Sequence, residues 1–312
     1  MVTTVTLNPC VDITVMLSGL KVGESNLTKS VQSRLGGKGI NAAIMLQRLG
    51  VPCICSGIAF SDRAAELDTM LREQGIGSEF INTSGSVRTN IKIMDTENGV
   101  MTELNGRGDK VSSRTLRSLE DMLSRIIEGS EILILGGSLP QGCPDDTYRR
   151  IIRRLRGKPL RVVVDTSGQP LLEAVKEKPF LIKPNLTELK NTFGCVGDDL
   201  GDILRTCGRI VSLGVEMVCV SLGDKGAVLA HRNGSAFFAE PQPSEAKILH
   251  GAGDAMVAGI CKAVIENGDQ EHILRCGTAA ATAWILQDPG RSNLFSDYSL
   301  HLDSIRIRQI SP

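Results

Sequence analysis

His250-Gly251-Ala252-Gly253-Asp254-Ala255-Met256-Val257-Ala258-Gly259 is the stretch around which the rest of the chain reads. Two glycines and an alanine precede a lone carboxylate. A nearly uncharged apolar run then continues to Val264, broken only by Lys262. Glycine lets the backbone approach another group closely. The apolar run is expected to form a buried helix with Asp254 in its first turn. A helix N-terminus offers unpaired N–H groups and a partial positive charge, which together bind anions such as phosphate. An aspartate at such a position is equally well a simple cap, so the neighbouring segments decide.

Working outward, short apolar strands alternate with helices. Val2 to Leu7 reads as a strand by its β-branched residues and ends at Asn8-Pro9. Residues 11–35 suggest short strands, and Ala42–Leu49 an apolar helix stopped by Gly50. Val51–Ile58 reads as a strand and 61–74 as a helix. Residues 87–104 read as a hairpin around Asn98-Gly99. Ser112 or Ser113 caps a helix with Leu116, Leu119, Leu123 and Ile126 on one face. Strands at Ile132–Leu135, Arg161–Val164, Phe180–Ile182 and Met217–Val220 then alternate with helices at Asp145–Leu155, Pro170–Lys176 and Leu200–Leu213. Such alternation predicts a parallel sheet covered on both faces. Polar residues cluster just after the strands, where open parallel sheets bind ligands.

Composition removes several function classes. The 312 residues balance 35 basic against 35 acidic side chains, so no global field draws the chain to nucleic acid or membrane. Aromatic residues make up only 3%, too few for base-stacking platforms. Nine cysteines, an odd number scattered through apolar segments, fit a reduced cytoplasmic chain better than a disulfide framework. No C-x-x-C occurs, the four histidines are dispersed, and neither a signal peptide nor a membrane-length apolar run is seen. The run Arg149-Arg150…Arg153-Arg154…Arg156 has an apolar side in Ile151, Ile152 and Leu155, so a solvated helix face is expected rather than a nucleic-acid patch. There is no G-x-x-x-x-G-K-[ST], and no G-x-G-x-x-G follows the first strand.

The strand-end motifs are, in order, Asn8-Pro9-Cys10-Val11-Asp12, Gly36-Gly37-Lys38-Gly39-Ile40-Asn41, Gly136-Gly137-Ser138-Leu139-Pro140, Lys183-Pro184-Asn185-Leu186-Thr187-Glu188-Leu189, Ser221-Leu222-Gly223-Asp224-Lys225-Gly226-Ala227 and Gly251-Ala252-Gly253-Asp254. Over about residues 3–290 this set resembles the PfkB (ribokinase-like) carbohydrate kinase family. The Leu-Asn-Pro start and the Lys-Gly-Ile-Asn form of the glycine motif are similar to its phosphosugar branch, which holds 1-phosphofructokinases and tagatose-6-phosphate kinases. The resemblance implies a single ribokinase-like α/β domain over 1–312. It has a mostly parallel central sheet, helices on both faces, and a small β lid from about 11–35 and 87–108. The lid leaves an edge that a second subunit can cover, so a homodimer is among the implied partners.

The same resemblance assigns roles. Asp254 would be the general base that takes the proton from the acceptor hydroxyl, and the backbone of Gly251, Ala252 and Gly253 would hold the transferring phosphoryl oxygens. Asp12, Gly37, Gly39, Asn41, Asn90 and Ser138 would bind the sugar, with Lys38 and Arg88 directed at its existing phosphate. Lys183, Asn185, Ser221, Gly223 and Gly226 would serve ATP, and Glu188 would order magnesium-bound water. The implied reaction is phosphorylation of a phosphorylated ketohexose: fructose 1-phosphate to the 1,6-bisphosphate first, tagatose 6-phosphate second. A non-catalytic sugar-phosphate sensor is the alternative from another class.

Three departures stand out. Ile248-Leu249-His250 replaces a segment that in the family touches nucleotide and shapes a monovalent-cation site, which puts potassium activation in question. Trp284 and Gln287 stand where small residues and an Asn meet the adenine. Cys10 stands for a more usual alanine.

Overall fold

The computed structural model describes residues 1–241, 251–286 and 294–311. β1 (Val2–Thr6) is followed by β2 (Cys10–Leu17), β3 (Thr28–Gly36) and α1 (Lys38–Arg48). Next come β4 (Cys53–Phe60), α2 (Ala64–Glu73), β5 (Gly77–Thr83), and the hairpin of β6 (Arg88–Asp95) and β7 (Val100–Asn105). α3 (Ser113–Ile126), β8 (Ile132–Gly136), α4 (Thr147–Arg154), β9 (Arg161–Asp165), α5 (Gly168–Val175) and β10 (Leu181–Ile182) continue the chain. α6 (Leu186–Phe193), α7 (Leu200–Ser212), β11 (Met217–Ser221), β12 (Ala227–His231) and β13 (Ala236–Ala239) lead to α8 (Ala252–Ile265), α9 (Gln270–Leu286), α10 (Leu294–Leu302) and β14 (Ile307–Ile310).

Ten strands form the central sheet in the order β14-β13-β12-β11-β10-β9-β8-β1-β4-β5. The seven from β11 to β5 are parallel, and β12 to β14 add an antiparallel edge. All five residues of β1 and of β8 are buried, as strands between two helix layers require. One core packs α1, α2, α8 and α9 on one face; the other packs α3, α4, α5 and α7 on the opposite face. This is the α/β architecture that the alternation predicts, apart from the antiparallel edge.

Local signals act where they stand. The Ser112 hydroxyl accepts from the Thr115 N–H and starts α3. Asn185 and Glu188 form a reciprocal capping box that starts α6, and Gly194 ends it in the left-handed conformation. The arginine run on α4 is stitched to its neighbours: Arg149, Arg153 and Arg156 converge on the Glu177 carboxylate, and Arg150 pairs with Glu120. That face is solvated, as expected, and laced with ion pairs.

Strands β3-β2-β6-β7 form a separate four-stranded sheet. Register places Asp12 opposite both Arg34 and Asn90, Cys10 opposite Arg88, and Lys92 opposite Glu103. With a side-chain period of two, these polar groups share one face. Val11, Ile13, Val15, Val31, Ile91, Ile93, Val100 and Leu104 share the other. Among the described residues no helix is long and apolar enough to cross a membrane.

Candidate active site

The chain runs from β1 outward through β4 to β5, then returns to β8 and runs the other way. The two halves part at β1 and β8, the switch point at whose carboxyl ends open α/β sheets bind ligands. A cavity of about 590 Å³ lies there, between the strand ends and the polar face of the small sheet. Its walls carry Asp12, Gly37, Lys38, Asn41, Arg88, Asn90, Ser138, Lys183, Asn185, Glu188, Ser221, Gly251, Gly253 and Asp254. The expected residues, drawn from seven separate segments, are therefore largely brought together.

Asp254 is buried in the first turn of α8. Asn41, at the start of α1, donates its Nδ2–H to Asp254 Oδ2 at 2.8 Å. Burial, followed by the charge of Asp165, pushes the Asp254 carboxyl up to about 6; Lys38, Asn41 and Lys183 act the other way. Gly251 caps α8 at φ 85°, and no side chain caps the helix. The N–H groups of its first turn therefore face the cavity end without intrahelical partners. Asn41, expected at the sugar, lines the same cavity.

The Lys38 ammonium lies 2.9 Å from Asp165 Oδ1 at the end of β9 and 3.4 Å from Glu188 Oε1 in the first turn of α6. Burial alone would lower its pKa, but Asp165 and Glu188 outweigh that and hold it above the ordinary value. Lys183 is buried 3.7 Å from the same Asp165 oxygen. Its Nζ also lies 3.2 Å from where a Cβ on Gly253 would sit, which places the cation against the anion-binding turn. Burial would raise the Asp165 carboxyl, yet Lys183 and Lys38 hold it below the usual range.

On the lid side, Asn90 Nδ2 donates to Asp12 Oδ1 at 3.0 Å, with Lys92 Nζ 3.8 Å from the same oxygen. Arg88 donates to the carbonyls of Asn8 and Gly106 and to Asn90 Oδ1, and lines the cavity. Ser138 Oγ accepts from Asn8 Nδ2, so its own hydroxyl proton is available to a ligand. Cys10 is a neutral wall: burial, then Asp12, pushes its thiol up to about 12.

Other expected residues lie outside the cavity walls. Gly39 is a packing residue: an added Cβ would lie 2.6 Å from the Val5 carbonyl, so glycine lets α1 rest on β1. Ala252 opens α8 without lining the cavity. Gly223 and Gly226 sit in the turn after β11, where a Cβ on Gly226 would lie 2.1 Å from the Ala239 carbonyl. Trp284, expected near adenine, is instead buried beneath Gly251. Ile248, Leu249, His250 and Gln287 lie outside the described residues. Sequence reasoning missed Asp165, Lys92, Glu103 and Asn105. Asp165 carried a usable signal, a lone carboxylate directly after Val162-Val163-Val164, in the strand-end position of every other motif. Lys92 is two residues beyond Asn90 and shares its face.

A carboxylate able to take a proton, free helix-start N–H groups able to hold a phosphoryl group, and a polar lid suited to hydroxyls are together what a kinase of small polyhydroxylated molecules requires. Residues 5–295 match the family described as pfkB family carbohydrate kinase, and the chain belongs to that family. It is a phosphotransferase acting on a sugar hydroxyl. It is 33% identical over 283 residues to a 1-phosphofructokinase of Bacillus subtilis (strain 168), covering 91% of this chain and 92% of that protein. A phosphofructokinase-2 from Escherichia coli, solved in complex with substrates and products, superposes with a TM-score of 0.88 at 25% identity over 97% of this chain and 99% of the other. The same Escherichia coli enzyme, solved in complex with potassium, gives a TM-score of 0.87 at 24% identity over 97% and 98%.

Proposed function

We propose that the chain transfers a phosphoryl group from ATP to fructose 1-phosphate, giving fructose 1,6-bisphosphate. The observation that carries the reading is the buried Asp254, held by Asn41 at a helix start whose first N–H groups have no partner within the helix, in the same cavity as the lid cations Arg88 and Lys92. The names of the relatives support the same substrate. Asp254 Oδ2 is occupied by Asn41, so Oδ1 is left to accept the proton of the acceptor hydroxyl. The N–H groups at the start of α8 and the Lys183 ammonium face the transferring group and stabilise its charge. Asp12 and Asn90 accept and donate to the sugar hydroxyls.

The site fits magnesium held through water. Glu188 Oε2 accepts from the Asn185 N–H at 2.9 Å and Oε1 faces Lys38, leaving the carboxylate suited to ordering water rather than binding directly. Magnesium usually keeps several waters and takes few direct protein ligands. When bound, magnesium neutralises charge on the donor phosphates. A coupled ADP-release assay across sugar phosphates, free sugars and nucleosides tests the reading. Turnover confined to free sugars or nucleosides would reject it.

The substrate phosphate is assigned to Arg88 and Lys92, not Lys38. A charge-assisted contact contributes roughly 1.5–3 kcal/mol. Arg88→Ala should therefore raise KM for fructose 1-phosphate about ten- to a hundredfold, and Lys92→Ala should act in the same direction. Any activity on free fructose should hardly change. Equal losses on both sugars would assign these cations to the fold.

The lid is also assigned a homodimer contact. Its outer face exposes Val31, Val100 and Leu104, each more than half accessible, and such apolar faces commonly mark interaction surfaces. Sedimentation equilibrium should give a dimer that Leu104→Glu dissociates; a monomeric wild type would remove the assignment.

A further inference from the structure

The chain has a single tryptophan, and it lies beneath the turn that starts the catalytic helix. Gly251 stands at φ 85°, and a Cβ there would lie 2.8 Å from Trp284 Nε1. The indole therefore fills the space that a side chain at position 251 would take and packs under the turn. Two arginines lie over that ring. Arg34 Cζ is 5.5 Å from its centroid and Arg48 Cζ is 5.9 Å, both within cation–π range. Neither arginine has an ion-pair partner among the described residues. They also repel one another: burial, then Arg48, lowers the Arg34 pKa, while the charges of Asp254 and Asp12 favour its cationic form.

The two cations come from different places. Arg48 is in the last turn of α1, where a cation favours the helix dipole. Arg34 is on β3 of the lid, in register with Asp12, the carboxylate assigned to the sugar hydroxyls. From Arg34 the chain passes through Gly36 and Gly37 into α1, which carries Asn41 onto Asp254. One side chain thus bridges the sugar-binding sheet to the floor of the phosphoryl-binding turn.

We propose that Arg34 is a positioning residue that couples sugar engagement by the lid to the placement of Gly251, acting through its stack on Trp284. Arg34 is not among the residues that line the cavity. It carries the lid's position to the ring, and the ring sets the turn. The inference rests on the sugar-kinase reading but not on which sugar is the substrate.

The test uses the full chain and Trp284 emission, with fructose 1-phosphate, fructose 6-phosphate, tagatose 6-phosphate and fructose as probes. The sugar that an ADP-release assay finds to be turned over is followed further, which separates failure of the substrate reading from failure of this one. Binding of that sugar without nucleotide should change Trp284 emission in the wild type. In Arg34→Met, calorimetry should still show sugar binding, with KM within about threefold, while the emission change disappears. Because misplacement of the turn affects the chemical step, kcat should fall about ten- to a hundredfold. Arg34→Lys, which keeps a cation over the ring, should recover most of both readouts. Arg48→Met should leave the sugar-dependent emission change in place, since Arg48 is not on the lid. Arg34→Gln replaces Arg34→Met if the latter does not fold. Wild-type emission unmoved by a sugar that calorimetry shows bound, or a kcat for the Arg34 variant within about twofold of wild type, would overturn the proposal.

Discussion

Asp254→Asn should reduce kcat by about 10²–10⁴-fold while leaving the KM for the sugar phosphate nearly unchanged. The substitution keeps the size of the side chain and an oxygen for the Asn41 donor at 2.8 Å, so the turn and the sugar contacts stay in place. What is lost is the ability to take the hydroxyl proton. The wild-type pH profile supplies an independent check. Burial, then Asp165, raises the Asp254 carboxyl to about 6, and only the deprotonated form is a base. Wild-type kcat/KM should therefore rise with pH up to about 6 and fall about tenfold per unit below it. The residual activity of Asp254→Asn should lack that acid limb. A variant keeping more than about a tenth of wild-type kcat, or an unchanged acid limb in it, would assign the proton to another group.

Asp165→Asn should destabilise the protein by about 3–5 kcal/mol, the usual consequence of removing one partner of a buried charge pair. The physical cause is Lys183, whose side chain is only 3% exposed and whose ion pair among the described residues is with Asp165 at 3.7 Å. Lys38 loses its 2.9 Å partner at the same time but is a third exposed and keeps Glu188. Most of the loss should therefore come back in Asp165→Asn combined with Lys183→Met, measured as a denaturant midpoint. The pH dependence has a definite sign. Lys183 and Lys38 outweigh burial and hold the folded Asp165 pKa below its ordinary 3.8. Its contribution is fully present above that value and is lost as pH falls through the lower folded pKa. Wild type and variant should thus converge in stability only in strong acid. A single variant as stable as wild type at neutral pH would mean that water reaches and solvates Lys183.

Much of the architecture was legible because it is written in local periodicity. Apolar runs such as Ile132–Leu135 and Arg161–Val164 alternate with amphipathic stretches such as 113–126, and that pattern admits few arrangements other than a covered parallel sheet. The antiparallel edge was not legible in the same way. β12 and β13 are short, at five and four residues, and β14 lies beyond three intervening helices, so its pairing with β13 depends on where α8, α9 and α10 return the chain.

The candidate site divides along the same line. Its backbone parts, the glycine turn before α8 and the Gly37 entry to α1, could be located from sequence because each depends on residues within a few positions of one another. Its side-chain partners could not. Asn41 meets Asp254 across 213 positions and Lys38 meets Asp165 across 127. A lysine beside a glycine loop carries no local mark of which anion it will find. The sequence by itself therefore determined the sheet, the strand-end segments that meet at the cavity and the carboxylate at the start of α8. Only the tertiary structure decided that Lys38 pairs with Asp165 and Glu188, that Asn41 donates to Asp254, and that Trp284 lies beneath Gly251. Electrostatic pairing and burial are set by distances across the folded core, and those distances exist only once the strands and helices are assembled.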